Sequence, residues 1–352
     1  MNISMIALDT AKAVMQVHGV NEEGRAELRR KLRRNEMVTF FTELPACTVV
    51  LEACGAAHHW GRVLGALGHD VKLIAPEAVR PFVKKGKKND AADAAAICEA
   101  ARRPEVKFVL VKSAEQQATL ALHTARSLLV KQQTMLSNAL RGLAAEFGLV
   151  VPQGLANIAT LMAMVEQAAE PAILPEAAQQ ALRALHARFC ALDEEALTLE
   201  RAIIAHARQD ETARRLITIP GIGLVTASLI AATVVDIGLF KNARHFAAWL
   251  GLVPKQHSTG GKAKLGQITK AGNSAIRNRL ILGATAMVRR AAKWNSAAGA
   301  WMRGVLARRP ARLATVALAN KTARVAWALM TRKENYRPHG CMMALPEAAA
   351  MA

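Results

Sequence analysis

Two stretches, residues 113–147 and about 176–210, each hold a helical repeat of apolar residues for more than thirty positions without a proline. At 1.5 Å per residue, each makes a rod of about 50 Å. The second places Leu182, Leu185, Phe189, Leu192, Ala196, Leu199 and Ile203 at alternating spacings of three and four, a heptad seam. The first carries Leu129, Leu136, Leu140, Leu143 and Phe147 on its expected stripe. The pair predicts a helical arm, either a coiled coil for self-association and spacing or an antiparallel pair within one chain. Residues 154–212 hold nine acids against four arginines, so this part is not expected to lie on a polyanion.

The chain before the arm has a different period. Ser4–Leu8 and Val14–Val20 read as strands, with Asp9 directly after the first. Arg25–Arg34 is a basic amphipathic piece. Ala46–Leu51 is a β-branched run ending at Glu52; a helix follows over His58–Leu67, and a further strand over Val71–Ile74. Strand, helix, strand at this spacing predicts a parallel βαβ unit. Ligands gather at the carboxyl ends of strands in open α/β sheets, which is where Asp9 and Glu52 fall. A basic loop with Lys84, Lys85, Lys87 and Lys88 then leads into an Ala-rich helix from about Asp90 to Arg102. Asp90 and Asp93, three apart, share one face of it. Either acid alone reads as a helix-dipole complement. With Asp9 and Glu52 on the same scaffold, the four read as a cluster.

The chain after the arm is basic. Lys241–Gly340 contains twenty lysines and arginines and one acid, Glu334, in a chain of net charge +20. Such a block opposes its own folding and predicts a nucleic-acid partner bound through counterion release. The five cysteines are scattered without metal spacing and predict reduced thiols in the cytoplasm. Leu216–Val235 lacks any charge, yet Pro220-Gly221-Ile222-Gly223 breaks it, so a buried helical hairpin is expected and no membrane span. That hairpin reads as a helix-hairpin-helix, with Gly221 and Gly223 turning backbone N–H groups toward a phosphate. Asn273–Lys293, Trp301–Arg309 and Arg312–Arg332 read as basic amphipathic helices, and Arg277 on the first is a candidate nucleic-acid contact. The tail from Lys333 has little pattern.

Between the hairpin and these helices lies Leu250–Gly272, LGLVPKQHSTGGKAKLGQITKAG, which has no acid. Ser258 and Thr259 precede Gly260 and Gly261, with His257, Lys255, Lys262, Lys264 and Lys270 around them. Glycines allow close approach of a phosphate and lysines supply countercharge. A serine here can bind a phosphodiester or attack it.

LDTAK with Asp9, LEACG with Glu52 and KKNDAADAAAICEA with Asp90 and Asp93 resemble the DEDD, RuvC-like (RNase H-like) α/β domain of the bacterial one-ten family of insertion-sequence transposases, in particular its eleven-eleven subgroup. IPGIGLVTA and WLGLVPKQHSTGGKAKLGQITKAGN resemble that family's C-terminal transposase domain. The resemblance covers about residues 3–330. It implies a RuvC-like domain over 1–112, a coiled-coil arm over 113–212, a mostly α C-terminal domain over 213–332 and a tail over 333–352. It also implies an Mg²⁺-dependent recombinase that excises and inserts its own element. Asp9, Glu52, Asp90 and Asp93 would be the metal-binding acids, and Ser258 the family's serine. Double-stranded DNA would be the substrate, a structured RNA the guide, and a dimer or tetramer the working form, at the bacterial nucleoid. Two other readings use the same residues: a hydrolytic junction nuclease without a covalent intermediate, and a non-enzymatic scaffold for nucleic acid. Cys54, where many relatives have a hydroxyl residue, is a departure that removes no presumed ligand.

Overall fold

The computed structural model describes residues 3–10, 13–83, 90–168, 174–260, 264–294 and 296–337, with Asp90 described in its backbone only. The chain divides into two compact units, Met1–Gln117 and Ala118–Ala352.

The first unit is a mixed sheet with helices on its faces. Its strands are β1 (Met5–Thr10), β2 (Val14–Val20), β3 (Ala26–Arg33), β4 (Thr48–Glu52), β5 (Asp70–Ile74) and β6 (Phe108–Val109), in the order β3-β2-β1-β4-β5-β6. The helices are α1 (Met37–Thr42), α2 (Ala57–Ala66), α3 (Pro76–Val79) and α4 (Asp90–Ala101). β1, β4 and β5 run parallel, so β4-α2-β5 is the βαβ unit that the spacing predicts. β2 pairs antiparallel with both β1 and β3. The basic piece Arg25–Arg34 is therefore the sheet's edge strand. Its charges suit that position, because an edge rich in Arg and Lys resists further pairing.

Alternation divides the sheet residues between two cores. Ile6, Leu8, Met15, Val17, Val49, Leu51 and Leu73 join Trp60 and Leu64 of α2 on one face. Ala7, Val20, Val50 and Ile74 meet Ile97, Ala100 and Ala101 of α4 on the other. The alanines of α4 let it lie close to the strands.

The second unit is helical: most of α5 (Ala114–Ala145), α6 (Asn157–Gln167), α7 (Glu176–Gln209), α8 (Glu211–Leu216), α9 (Leu224–Thr233), α10 (Ala243–Trp249), α11 (Ser274–Arg289), α12 (Ala297–Leu306) and α13 (Ala311–Arg332). A two-stranded ribbon of β7 (Pro254–Gln256) and β8 (Leu265–Ile268) interrupts it. α5 and α7 pair antiparallel within the chain: Arg126 donates to Glu200 at 2.6 Å, and Gln133 donates to Asp193 at 2.8 Å. On α7 the seam lies where the heptad spacing puts it, with Leu182, Leu192 and Ile203 fully buried. On α5 the buried side is rotated. Leu143 and Phe147 are 44% and 36% exposed, whereas His123, Gln133, Ser137, Leu140 and Ala144 are buried. The seam of α5 is partly polar: a stripe drawn from leucines alone catches Leu140 and Leu136 and misses the polar members. His123 bonds Ser228 of α9 at 3.0 Å, and burial pushes its pKa down to about 4, with Arg279 and Arg126 adding to the shift.

α9, α11 and α13 share the main core with α8 and α10. The start of the tail is tied down, since the Tyr336 amide donates to Thr218 Oγ1 at 2.9 Å and its ring packs on that core.

Candidate active site

The four acids are positioned by strand register and helical period. Ala7 of β1 pairs with Val50 of β4, and both face α4. Two residues on, Asp9 and Glu52 fall on that same face by alternation, at the carboxyl ends of adjacent parallel strands. On α4, Asp93 precedes the buried Ile97 by four positions, so it lies on the sheet-facing stripe. Asp90, three residues earlier, falls on the same stripe by helical period; its side chain lies outside the described residues.

The electrostatics agree with this convergence. The Glu52 carboxyl is held above the usual carboxylate range, first by desolvation and then by the negative charges of Asp9, Asp93 and Glu77. Glu52 on β4 thus feels the negative charges of Asp9 on β1 and Asp93 on α4. Their all-oxygen donor chemistry suits a hard divalent ion such as Mg²⁺. Among the described residues, no group of three or more His, Cys, Asp or Glu side chains is placed so that it could hold a metal ion, so Asp9, Glu52 and Asp93 are not drawn together into a ready site.

Ser258 sits at the tip of the β7–β8 ribbon and is exposed, as is Thr259. Gln256 donates to Ser258 Oγ at 3.0 Å, and the His257 amide donates to the Lys264 carbonyl at 2.8 Å, closing the neck of the tip. Gly260 has φ +55° with open space where a side chain would be. Lys255, Lys264 and Lys270 are exposed around the ribbon. Lys84, Lys85, Lys87, Lys88, Gly261 and Lys262 lie outside the described residues.

The base of the ribbon is built more tightly than its tip. Gly251 and Gly272 have φ +67° and +63°, and a Cβ on Gly272 would fall 1.9 Å from the Trp249 carbonyl oxygen. Thr269 and Lys270 donate their amides back to Val253 and Gly251. Arg277 is only 7% exposed and donates to the carbonyls of Leu250 and Ala271 at 3.0 and 2.7 Å. It braces the two ends of the segment, a structural role that the sequence reading of Arg277 as a nucleic-acid contact did not include. Asn242 and Asn273 N-cap α10 and α11, so Asn273 fixes where the ribbon segment ends and α11 begins.

The turn at 217–223 joins α8 to α9. Gly221, at φ +88°, packs against the backbone of Gly283 on α11, and Gly223 is exposed at the start of α9. The two glycines therefore differ: one allows close helix packing, and the other leaves the first amides of α9 accessible.

Two family models match the chain. One, described as a DEDD transposase, covers residues 6–147, and the other, described as the transposase IS116/IS110/IS902 family, covers residues 213–298. A probable family 20 transposase of Pseudomonas aeruginosa is 50% identical over 96% of this chain and 100% of its own length. The chain belongs to the IS110/IS116/IS902 family of transposases. The transposase for insertion sequence element IS1328 of Yersinia enterocolitica is 39% identical over 94% of the chain and 98% of the relative, and that for IS1111A of Coxiella burnetii 38% over 96% and 92%. The first model spans the acids of this transposase, and the second spans the α8–α9 turn and the serine ribbon. Among the described residues, no helix of the transposase is long and apolar enough to cross a membrane.

Proposed function

We propose that this transposase cuts and rejoins double-stranded DNA at the ends of its element and at a target, through a covalent phosphoserine at Ser258. The observation that carries the reading is the shared electrostatic environment of Asp9, Glu52 and Asp93, in which Glu52 resists ionisation. Carboxylates crowded this way are poised for a divalent cation, and Asp9, Glu52, Asp93 and Asp90 are the residues that would hold Mg²⁺. Mg²⁺ bound there would neutralise charge on a phosphodiester and polarise its oxygens.

The serine hydroxyl attacks phosphorus, forming the Ser258 Oγ–P bond as the P–O3′ bond breaks. The hydroxyl proton ends on the departing 3′ oxygen. One phosphodiester, to the serine oxygen, replaces another, to the 3′ oxygen, so the same 3′ hydroxyl can later reverse the step without ATP. Exposure of Ser258 on a lysine-flanked ribbon suits delivery of the hydroxyl to a polyanion. The accessible amides at Gly223 suit a sequence-independent phosphate contact of the helix-hairpin-helix kind. A structured guide RNA, a dimer or tetramer as the working form, and action at the nucleoid rest on family resemblance.

The test uses DNA carrying an element end. Wild type with Mg²⁺ is expected to give cleavage and a protein–DNA adduct stable to denaturant. Ser258→Ala should lose the adduct, and Thr259→Val should keep it. Cleavage by Ser258→Ala without an adduct would replace the recombinase with a hydrolytic nuclease. Cleavage by wild type that persists undiminished in EDTA would remove the metal from the mechanism.

A further inference from the structure

Beside the acids lies a cleft of about 220 Å³ that the phosphoserine chemistry does not use, lined by Gln16, Val17, His18, Arg29, Ala91, Ala92 and Ala95. Its position follows from register. Gln16 is the cross-strand partner of Asp9, about 5 Å away between Cα atoms. His18 pairs with Ala7 on one side and with Arg29 of the edge strand on the other. These residues share the face that α4 covers, and the three alanines at the start of α4 leave the space open.

The polar walls are incomplete as they stand. Gln16 and His18 are 7% and 8% exposed, and neither side chain is hydrogen-bonded to another described residue. Neither is among the buried unsatisfied polar groups, so the exposure that remains lies toward the cleft and leaves their polar atoms open to a ligand or water. Burial, and then the Arg29 charge, hold the His18 pKa below its ordinary value. The ring is therefore neutral at pH 7 and has one N–H to give. Arg29 supplies a full positive charge at the cleft's open side, on an exposed edge strand.

We propose that this cleft is a phosphate subsite for the DNA strand cut at the acids. It takes the phosphodiester one nucleotide away from the scissile bond, with Arg29 as countercharge and Gln16 and His18 as hydrogen-bond donors. The subsite rests on the reading of Asp9 and Glu52 as the cleavage centre. It would fix the strand's register across that centre with neutral donors on one side and a fork-shaped cation on the other.

Thymidine 3′,5′-bisphosphate is a suitable probe, since it carries two phosphates one nucleotide apart. Its binding to the full chain can be measured by calorimetry with Ca²⁺ and again in EDTA. Arg29→Ala is expected to weaken binding at least tenfold, and Ala91→Leu, which narrows the cleft without altering charge, by a similar factor. Gln16→Leu should weaken it less. Arg30→Ala, whose guanidinium lies over Phe40 on the opposite face of the same strand, should bind as wild type. Equal losses in Arg29→Ala and Arg30→Ala would reduce the effect to general charge and overturn the subsite. So would wild-type binding by both Arg29→Ala and Ala91→Leu. The metal reading is scored separately. Ca²⁺ should tighten binding in wild type and not in Asp9→Asn. A Ca²⁺ effect with silent cleft variants would dismiss the subsite alone, and dependence on Arg29 without a Ca²⁺ effect would dismiss the metal centre and keep the subsite.

Discussion

The acids and the serine ribbon solve opposite problems. Asp9, Glu52 and Asp93 issue from two central strands and a helix whose neighbours are fully buried, so packing sets their spacing. Ser258 stands at an exposed tip that, among the described residues, backbone bonds and one glutamine amide hold together. The ribbon's rigidity is concentrated at its base, where Gly251, Gly272 and Arg277 lock two chain ends to the helical core. In the proposed mechanism the acids would need preorganisation to a fraction of an ångström to hold a metal, whereas a serine that must find a strand could sit on a less constrained element. On that reading the molecule pays for precision where like charges are forced together and leaves freedom where an attack would be delivered.

Glycine substitutions probe this contrast most sharply. Gly272→Ala puts a methyl group onto the Trp249 carbonyl at a positive φ, and should cost about 3 kcal/mol or more. Gly260→Ala, at a similar φ but in open space, should cost about 1 kcal/mol. Thermal unfolding of the two variants measures the difference directly. Equal losses would mean that the tip is as constrained as the base.

Arg277→Met comes next in size. It removes two hydrogen bonds from a buried guanidinium and leaves two carbonyls without them, an expected loss of about 2–4 kcal/mol in denaturant unfolding. Were Arg277 a DNA contact instead, the variant would unfold like wild type and show a shallower salt dependence of DNA binding.

The smallest effect probes the acids without ligand. Glu52 has a raised pKa when folded, so the folded state binds its proton more tightly than the unfolded chain does. Its contribution is favourable below the ordinary glutamate range and is lost as pH rises through the folded value. Glu52→Gln in EDTA should therefore melt roughly one or two degrees above wild type near pH 7, and the gap should close in acid. A variant that melts lower than wild type at pH 7 would mean that Glu52 is paired with a cation from the protein.

Much of this is legible in one dimension, where local rules dominate. Asp9 and Glu52 end apolar runs, Asp90 and Asp93 open an alanine helix, and alternation does the rest. Arg25–Arg34 is harder: its charges suggest a solvated amphipathic piece, and only pairing with β2 makes it the edge strand. Gln16 and His18 lie in an otherwise apolar strand, and nothing local tells a buried polar residue with a partner from one without. Arg277 has the composition of a DNA contact, and its burial depends on a loop that returns from twenty-seven residues earlier. The polar part of the α5 seam escapes because His123, Arg126 and Gln133 are answered by partners on α7 or α9 that no sequence window contains.

Those polar seam residues have a further result. Arg126 meets Glu200 and Gln133 meets Asp193, one heptad apart on antiparallel rods. Slide α5 seven positions one way and Arg126 would face Ala207, which is 1% exposed, stranding a guanidinium in hydrocarbon. Slide it the other way and Arg126 would meet Asp193, but Glu200 and Gln133 would both lose their partners. Leucine seams tolerate such slippage; this one is penalised in both directions. The rods are keyed to a single alignment, and whatever the hairpin of helices spans, it spans at one fixed length.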